Sequence, residues 1–187
     1  IADIQENESE AELLRNVQDV IEGLDVYSEG DRERMLECLD TIVGGQVMDL
    51  ERFGPANEGE TISALADNAE LDDYTYRVAG CVGVFWTKMT LAHMFKMSRE
   101  KEEEFFMKGI RFGKALQMIN ILRDIPEDLS FGRCYIPLNR LKEVGLDPIE
   151  LREISNHDTF SPIYQSLLDI TQGHLDAAEQ YILMLPR

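Results

Sequence analysis

Apolar residues recur at helical spacing along almost the whole chain, and this periodicity is what most narrows the folds open to it. Leu13, Leu14, Val17 and Ile21 form one stripe within residues 9–23, with Ser9 placed to cap the helix and Gly23 to stop it. A second predicted helix covers residues 32–53 with Met35, Leu36, Leu39, Ile42, Val43, Val47 and Leu50, and Gly54-Pro55 ends it. Residues 61–71 read as a short third helix. Residues 74–96 are apolar all round through VAGCVGVFW, Trp86 included, so this segment belongs at the centre. There Gly80 and Gly83 let another backbone or a ligand chain come close. Residues 102–123 form a fifth helix with Phe105, Phe106, Ile110, Phe112, Leu116, Ile119 and Leu122 as expected core. The chain then turns irregular through Pro126, Gly132 and Pro137 before a last long helix over 160–185. Alternating strand patterns are scarce and no strand–helix–strand rhythm occurs. The expected fold is all-α, in one domain.

The chain's 187 residues, 44% of them hydrophobic, suffice to build such a core. Its 36 acidic residues against 18 basic ones give a net charge of -18, a field that repels nucleic acid. The charge is uneven. Residues 108–142 hold seven basic residues (Lys108, Arg111, Lys114, Arg123, Arg133, Arg140, Lys142) against Asp124, Glu127 and Asp128, which is +4 and leaves -22 elsewhere. A small anion therefore finds local cations where a long polyanion finds no track. Three separated cysteines, with no CxxC pair, argue against a disulfide framework and a cysteine zinc site, and favour a reducing, cytoplasmic setting. The longest apolar run, residues 78–86, is nine residues and too short to span a bilayer, though transient contact with a membrane surface stays open.

The segment with most chemical content is GKALQMINILRDIPED. Gln117, Asn120, Asp124 and Asp128 are spaced three, four and four apart, so a helix places them on one face. Two amides and two carboxylates on an otherwise apolar helix are costly if buried without partners. Such an oxygen-rich row suits Mg²⁺, which takes a few carboxylates and fills its shell with water and phosphate oxygens. Pro126 lies between the aspartates and can kink the face. Arginines beside metal-seeking carboxylates share the charge of a diphosphate, and Gly132 in GRCYIP can turn Arg133 back over such a site. A DxxxD pair alone is common on exposed helices; the longer series that includes Gln117, Asn120, Arg123 and Arg133 is far more specific.

The run ALQMINILRDIPEDLSFGRCYIP resembles the second aspartate-rich region of the squalene/phytoene synthase family. YTYRVAGCVG, from Tyr74 to Gly83, is similar to that family's Tyr-x3-Val-Ala-Gly-x-Val-Gly segment. GQVMDL, with Asp49, resembles its Gly-Met-x-x-Asp-Leu segment, with Gln46 in the usual Met position. The three matches occur in family order and extend over most of the chain.

The resemblance implies an isoprenoid synthase-like helical bundle around a central cavity, with two facing aspartate-rich helices. It implies head-to-head joining of two prenyl diphosphates through a cyclopropyl diphosphate, with Mg²⁺ as cofactor. Asp124 and Asp128 would then bind metal together with Asn120. Gln117 and Asn120 would line the substrate site, Arg123 and Arg133 would hold diphosphate, and Tyr74 would handle carbocation or proton. Arg77 stands where a second tyrosine is common. Val78, Ala79, Val82 and Gly83 are candidates for the chain-facing wall, each with ordinary packing as the alternative; a core tyrosine is the alternative for Tyr74. Asp49 either lines the pocket or forms an ion pair. Ile1-Ala2-Asp3 resembles the end of the family's first DxxxD, making Asp3 its second aspartate and residues 1–187 an incomplete single domain. The wording of YTYRVAG and LRDIPED leans toward the C15, squalene type over the C20, phytoene type. No nucleotide-binding fingerprint occurs, so a final reduction by NADPH stays open. A non-catalytic assembly protein of the same fold and another terpene-processing enzyme remain as alternatives. His93, His157 and His174 are scattered and suggest no metal site.

Overall fold

A computed structural model describes residues 7–54 and 61–186. The chain divides into a unit ending at Glu37 and a larger one beginning at Cys38. In the first unit, the single helix expected over 9–23 is two helices, α1 (Glu8–Arg15) and α2 (Val17–Glu22), followed by a 3-10 turn at Gly23–Val26. Asn16 makes the break. Its side-chain amide donates to Glu12 O at 2.9 Å, a local bond that competes with continuing the helix. The cap is Asn7 rather than Ser9: Asn7 Oδ1 accepts from the backbone N–H of Ser9 and Glu10 at 3.0 and 3.4 Å.

The helix α3 (Glu29–Phe53) starts three residues earlier than expected and carries the chain into the second unit. There its stripe of Leu39, Val43, Val47 and Leu50 keeps the helical period yet stays exposed among the described residues. Residues 61–71 are not one helix. Ser63–Ala64 form β1, and α4 (Asn68–Thr75) begins only after Asp67, whose carboxylate accepts from Ala69 N and Glu70 N at 2.8 and 3.0 Å. A wide, π-type turn at Tyr76–Gly80 joins α4 to α5 (Cys81–His93).

The helix α6 (Arg99–Arg123) packs against both α5 and α9 (His157–Met184). Glycine sets the α5–α6 separation. A Cβ at Gly83 would lie 1.8 Å from Gly109 O, and one at Gly113 would lie 2.1 Å from Ala79 O. No side chain fits at either position, so the backbones approach as the sequence predicted for Gly83.

After α6 the chain is not irregular at Pro126, because α7 (Ile125–Ser130) holds the proline in its first turn, where the absent N–H costs nothing. Gly132, at φ 80°, then reverses the chain into β2 (Arg133–Cys134). The β2 strand pairs in parallel with β1, Ser63 opposite Arg133 and Ala64 opposite Cys134. Leu138 N and Asn139 N donate to Leu65 O and Ala66 O at 2.8 and 3.1 Å, extending the join into α8 (Leu138–Glu143). The core of this unit gathers Tyr74, Met118, Leu122, Leu129, Tyr135, Ile136, Leu141 and Leu167. Each such buried side chain contributes roughly 1.5–3 kcal/mol. Leu116 and Ile119, expected in the core, are 51% and 38% exposed.

Candidate functional site

The polar end of α6 stops at Asp124, where a φ of -97° and a ψ of 11° bend the chain into α7. Asp124 N donates to Asn120 O and Asp128 N to Asp124 O, both at 2.9 Å, so the spacing of the two aspartates survives Pro126. Asn120 is exposed and Gln117 half-buried. Arg123 grips its neighbour: Nε and Nη2 donate to Asp124 Oδ1 and Oδ2 at 2.7 and 2.6 Å. That fork holds the Asp124 carboxyl below the usual range. Asp128 behaves oppositely. Burial first, and then the Asp124 charge, push its carboxyl up to about 6.

Beside Asp128, three elements bring four side chains together. From α3, Asp49 accepts Tyr135 Oη at 2.8 Å on Oδ1 and Arg133 Nη1 at 3.2 Å on Oδ2. Asp49 thus forms an ion pair, and it also lines a pocket together with Phe53, Leu65 and Tyr74. Tyr135 stacks on Tyr74, ring centroids 4.7 Å apart and planes at 25°. Burial raises the Tyr74 hydroxyl's pKa, and the charges of Asp49, Asp128 and Arg133 all act on it. Tyr74 is therefore a core tyrosine that also borders the charged cluster. Arg133 Nε is buried without a hydrogen-bond partner. Arg77 is turned away, its Nε donating to Asp73 Oδ2 at 2.8 Å.

The basic window of residues 108–142 does not act as one field. Lys114 is bound to Asp72 at 2.6 Å and Lys108 to Glu104 at 2.5 Å, while Arg111 donates to His174 and to Gly173 O. Arg123 pairs with Asp124, and Arg133 pairs with Asp49.

One helical stretch below, an apolar cavity of about 330 Å³ opens between α5 and α6. Val78, Ala79, Val82 and Gly83 form one wall and Gly109, Phe112, Gly113 and Leu116 the other, with Trp86 and Tyr181 beside them. Val78, Ala79, Val82 and Gly83 are the residues the sequence offered for such a wall. Trp86 is a correction, since it is 60% exposed at the cavity and not core. Leu116 faces the same space, which accounts for part of its exposure. Tyr135 and Tyr181 had no assigned site role in the sequence, and only the position of Tyr135 within GRCYIP hinted at one. Asp3 lies outside the described residues. Among the described residues no three His, Cys, Asp or Glu side chains gather as a ready cation cage.

The squalene/phytoene synthase family profile matches residues 2–187. The chain belongs to this family. A presqualene diphosphate synthase of Zymomonas mobilis is 31% identical over 146 residues, 78% of this chain and 44% of that protein. A phytoene synthase of Thermus thermophilus is 34% identical over 109 residues, 58% of this chain and 33% of that protein. This squalene/phytoene synthase family chain thus spans under half the length of these curated relatives. Its fold matches a squalene synthase from Alicyclobacillus acidocaldarius at a TM-score of 0.61 and 19% identity, over 92% of this chain and 56% of that one. A dehydrosqualene synthase solved with a ligand matches at 0.63 and 20% identity, over 81% and 47%. Among the described residues no helix is long and apolar enough to cross a membrane.

Proposed function

We propose that residues 1–187 form part of a single synthase domain that condenses two prenyl diphosphates head to head. Two farnesyl diphosphates are favoured over two geranylgeranyl diphosphates by the YTYRVAG and LRDIPED wording. The observation that carries this reading is the gradient along α6. Its Gly109, Phe112, Gly113 and Leu116 line an apolar cavity, and its Gln117, Asn120 and the adjoining Asp124 form a polar end. At 1.5 Å per residue, Gly113 and Asp124 are about 16 Å apart along the axis. An amphiphile with an isoprenoid tail and a diphosphate head matches that sequence of surfaces.

The donor set at the polar end fits Mg²⁺. Asn120, Asp124 and Asp128 offer hard oxygen atoms, and the raised pKa of Asp128, set by burial first and then by the Asp124 charge, marks a carboxylate whose charge a cation would offset. When bound, the metal supplies positive charge to offset the charge that grows on the departing diphosphate. Arg133 has an unpartnered Nε to add a donor for a phosphate oxygen. Val78, Val82 and Phe112 keep water from the allylic cation, and Tyr74, which lines a separate pocket beside Asp49, is given the cation or its proton by the motif resemblance. The Arg123–Asp124 pair is the observation that favours a non-catalytic relative, because it occupies a ligand carboxylate. Arg123 is exposed, however, and water and salt weaken such a pair enough for a divalent cation to displace it.

The test is product analysis of the full-length protein with Mg²⁺ and each diphosphate, with and without NADPH. A C30 or C40 head-to-head product supports the reading, and its dependence on NADPH decides the final reduction. If neither substrate loses diphosphate, the enzymatic reading fails. Full activity in Asp124→Ala would remove the metal assignment alone.

A further inference from the structure

Tyr135 links two site residues that lie on different elements. Its hydroxyl donates to Asp49 on α3 at 2.8 Å, and its ring stacks on that of Tyr74 on α4. Phe53 closes a third side, its ring meeting Tyr135 edge-on at 5.0 Å and 69°. The ring is therefore held by an anchor, a stack and an edge contact, with 7% of its surface exposed.

The stack sets the plane of the Tyr74 ring and with it the line along which the Tyr74 hydroxyl projects. A phenol carries one proton. Tyr135 commits its proton to a carboxylate, a strong acceptor, and so holds its own ring in place against that of Tyr74. The link from Tyr74 through Tyr135 to Asp49 is thus one ring stack and one hydrogen bond that ends on an anion. Asp49 meanwhile has both oxygens engaged, one by Tyr135 and one by Arg133, and its side chain is only 14% exposed.

We propose that Tyr135 is a positioning residue that fixes the direction of the Tyr74 hydroxyl, and that Asp49 serves the site only through Tyr135 and Arg133. Which reaction Tyr74 then serves rests on the head-to-head reading; the linkage does not.

In the full-length protein, Tyr135→Phe keeps the ring and its stack and removes the anchor. Diphosphate release from farnesyl or geranylgeranyl diphosphate is expected to lose about ten- to hundredfold in kcat, the scale of a misplaced reacting group. KM is expected to stay within about twofold, because Tyr135 makes no contact needed for diphosphate binding. Asp49→Asn lowers kcat and also raises KM, since it loosens Arg133. The double variant is no slower than Asp49→Asn, because both changes break one link. Wild-type kcat in Tyr135→Phe, or effects that multiply in the double variant, overturn the proposal. A second readout needs no turnover. With 3-fluorotyrosine incorporated, the Tyr74 resonance, assigned by its loss in Tyr74→Phe, is expected to move in both Tyr135→Phe and Asp49→Asn. A Tyr74 resonance that neither variant moves refutes the linkage, even where the wild type releases no diphosphate and the functional reading has failed by itself.

Discussion

Gly83 of α5 sits against the carbonyl of Gly109 of α6 so closely that a Cβ at position 83 would lie 1.8 Å from the oxygen and 2.3 Å from the carbon. Backbone cannot yield as a flexible side chain does. Gly83→Ala must therefore push α5 off α6, at a cost at or above the roughly 1–3 kcal/mol usual for overpacking. A melting experiment should show a large drop in Tm and loss of the apolar cavity between the two helices. Gly23→Ala is the control, since nothing lies within 4 Å of a Cβ there and its φ is -59°. Equal Tm values for the two variants would remove the close-approach account.

Asp128 makes stability depend on pH in a direction opposite to most carboxylates. Its folded pKa of about 6 lies above the ordinary 3.8, so between those values the unfolded chain holds fewer protons. Stability from this group falls as pH rises through that window, and the penalty is complete above about pH 6. In metal-free protein, Asp128→Asn should raise Tm near pH 7.5 and leave it unchanged near pH 4. Added Mg²⁺ should raise the wild-type Tm at the higher pH and that of the variant less. The same Tm difference at both pH values would contradict the burial of this carboxyl.

Arg133 serves Asp49 through Nη1 and retains a buried Nε without a partner. Lysine preserves the charge but presents a single ammonium, which cannot reproduce the planar fork. Arg133→Lys should raise KM for a prenyl diphosphate about tenfold or more, the worth of one charge-assisted hydrogen bond. Inhibition by inorganic diphosphate should weaken in parallel. A KM change without any change in diphosphate inhibition would place Arg133 away from the head group.

The helical character of the chain was legible because period and composition agree over long stretches, as in residues 102–123. What escaped was decided by single polar side chains or by distant contacts. The amide of Asn16 breaks a helix that its apolar neighbours would continue. Residues 61–66 follow Gly132–Cys134 as a strand partner, and nothing local in their sequence announces that pairing. Trp86 sits in an apolar run that predicts burial, yet an open cavity beside it leaves it exposed. The aspartates, Arg133 and Tyr74 stood out by spacing and by motif. Tyr135 did not, because its importance lies in Asp49, a residue 86 positions away along the chain.

Val82 separates the two halves of the proposed site experimentally, since it lines the apolar cavity and has no place among the charged groups. Phenylalanine at this position fills part of a space of about 330 Å³ without touching the aspartates or Arg133. Lost apolar contact then falls on the isoprenoid tail, at about 0.8 kcal/mol for each methylene kept out. Two or three displaced carbons correspond to a ten- to hundredfold weaker affinity, by about 1.4 kcal/mol per tenfold. Calorimetric titration of Val82→Phe should therefore show weakened farnesyl diphosphate binding and still weaker geranylgeranyl diphosphate binding, while inorganic diphosphate binds as in the wild type. If all three ligands weaken together, the substitution has disturbed α5 as a whole and the cavity is not the tail site. If none weakens, the tail lies elsewhere, and the gradient along α6 no longer supports a prenyl diphosphate as the substrate.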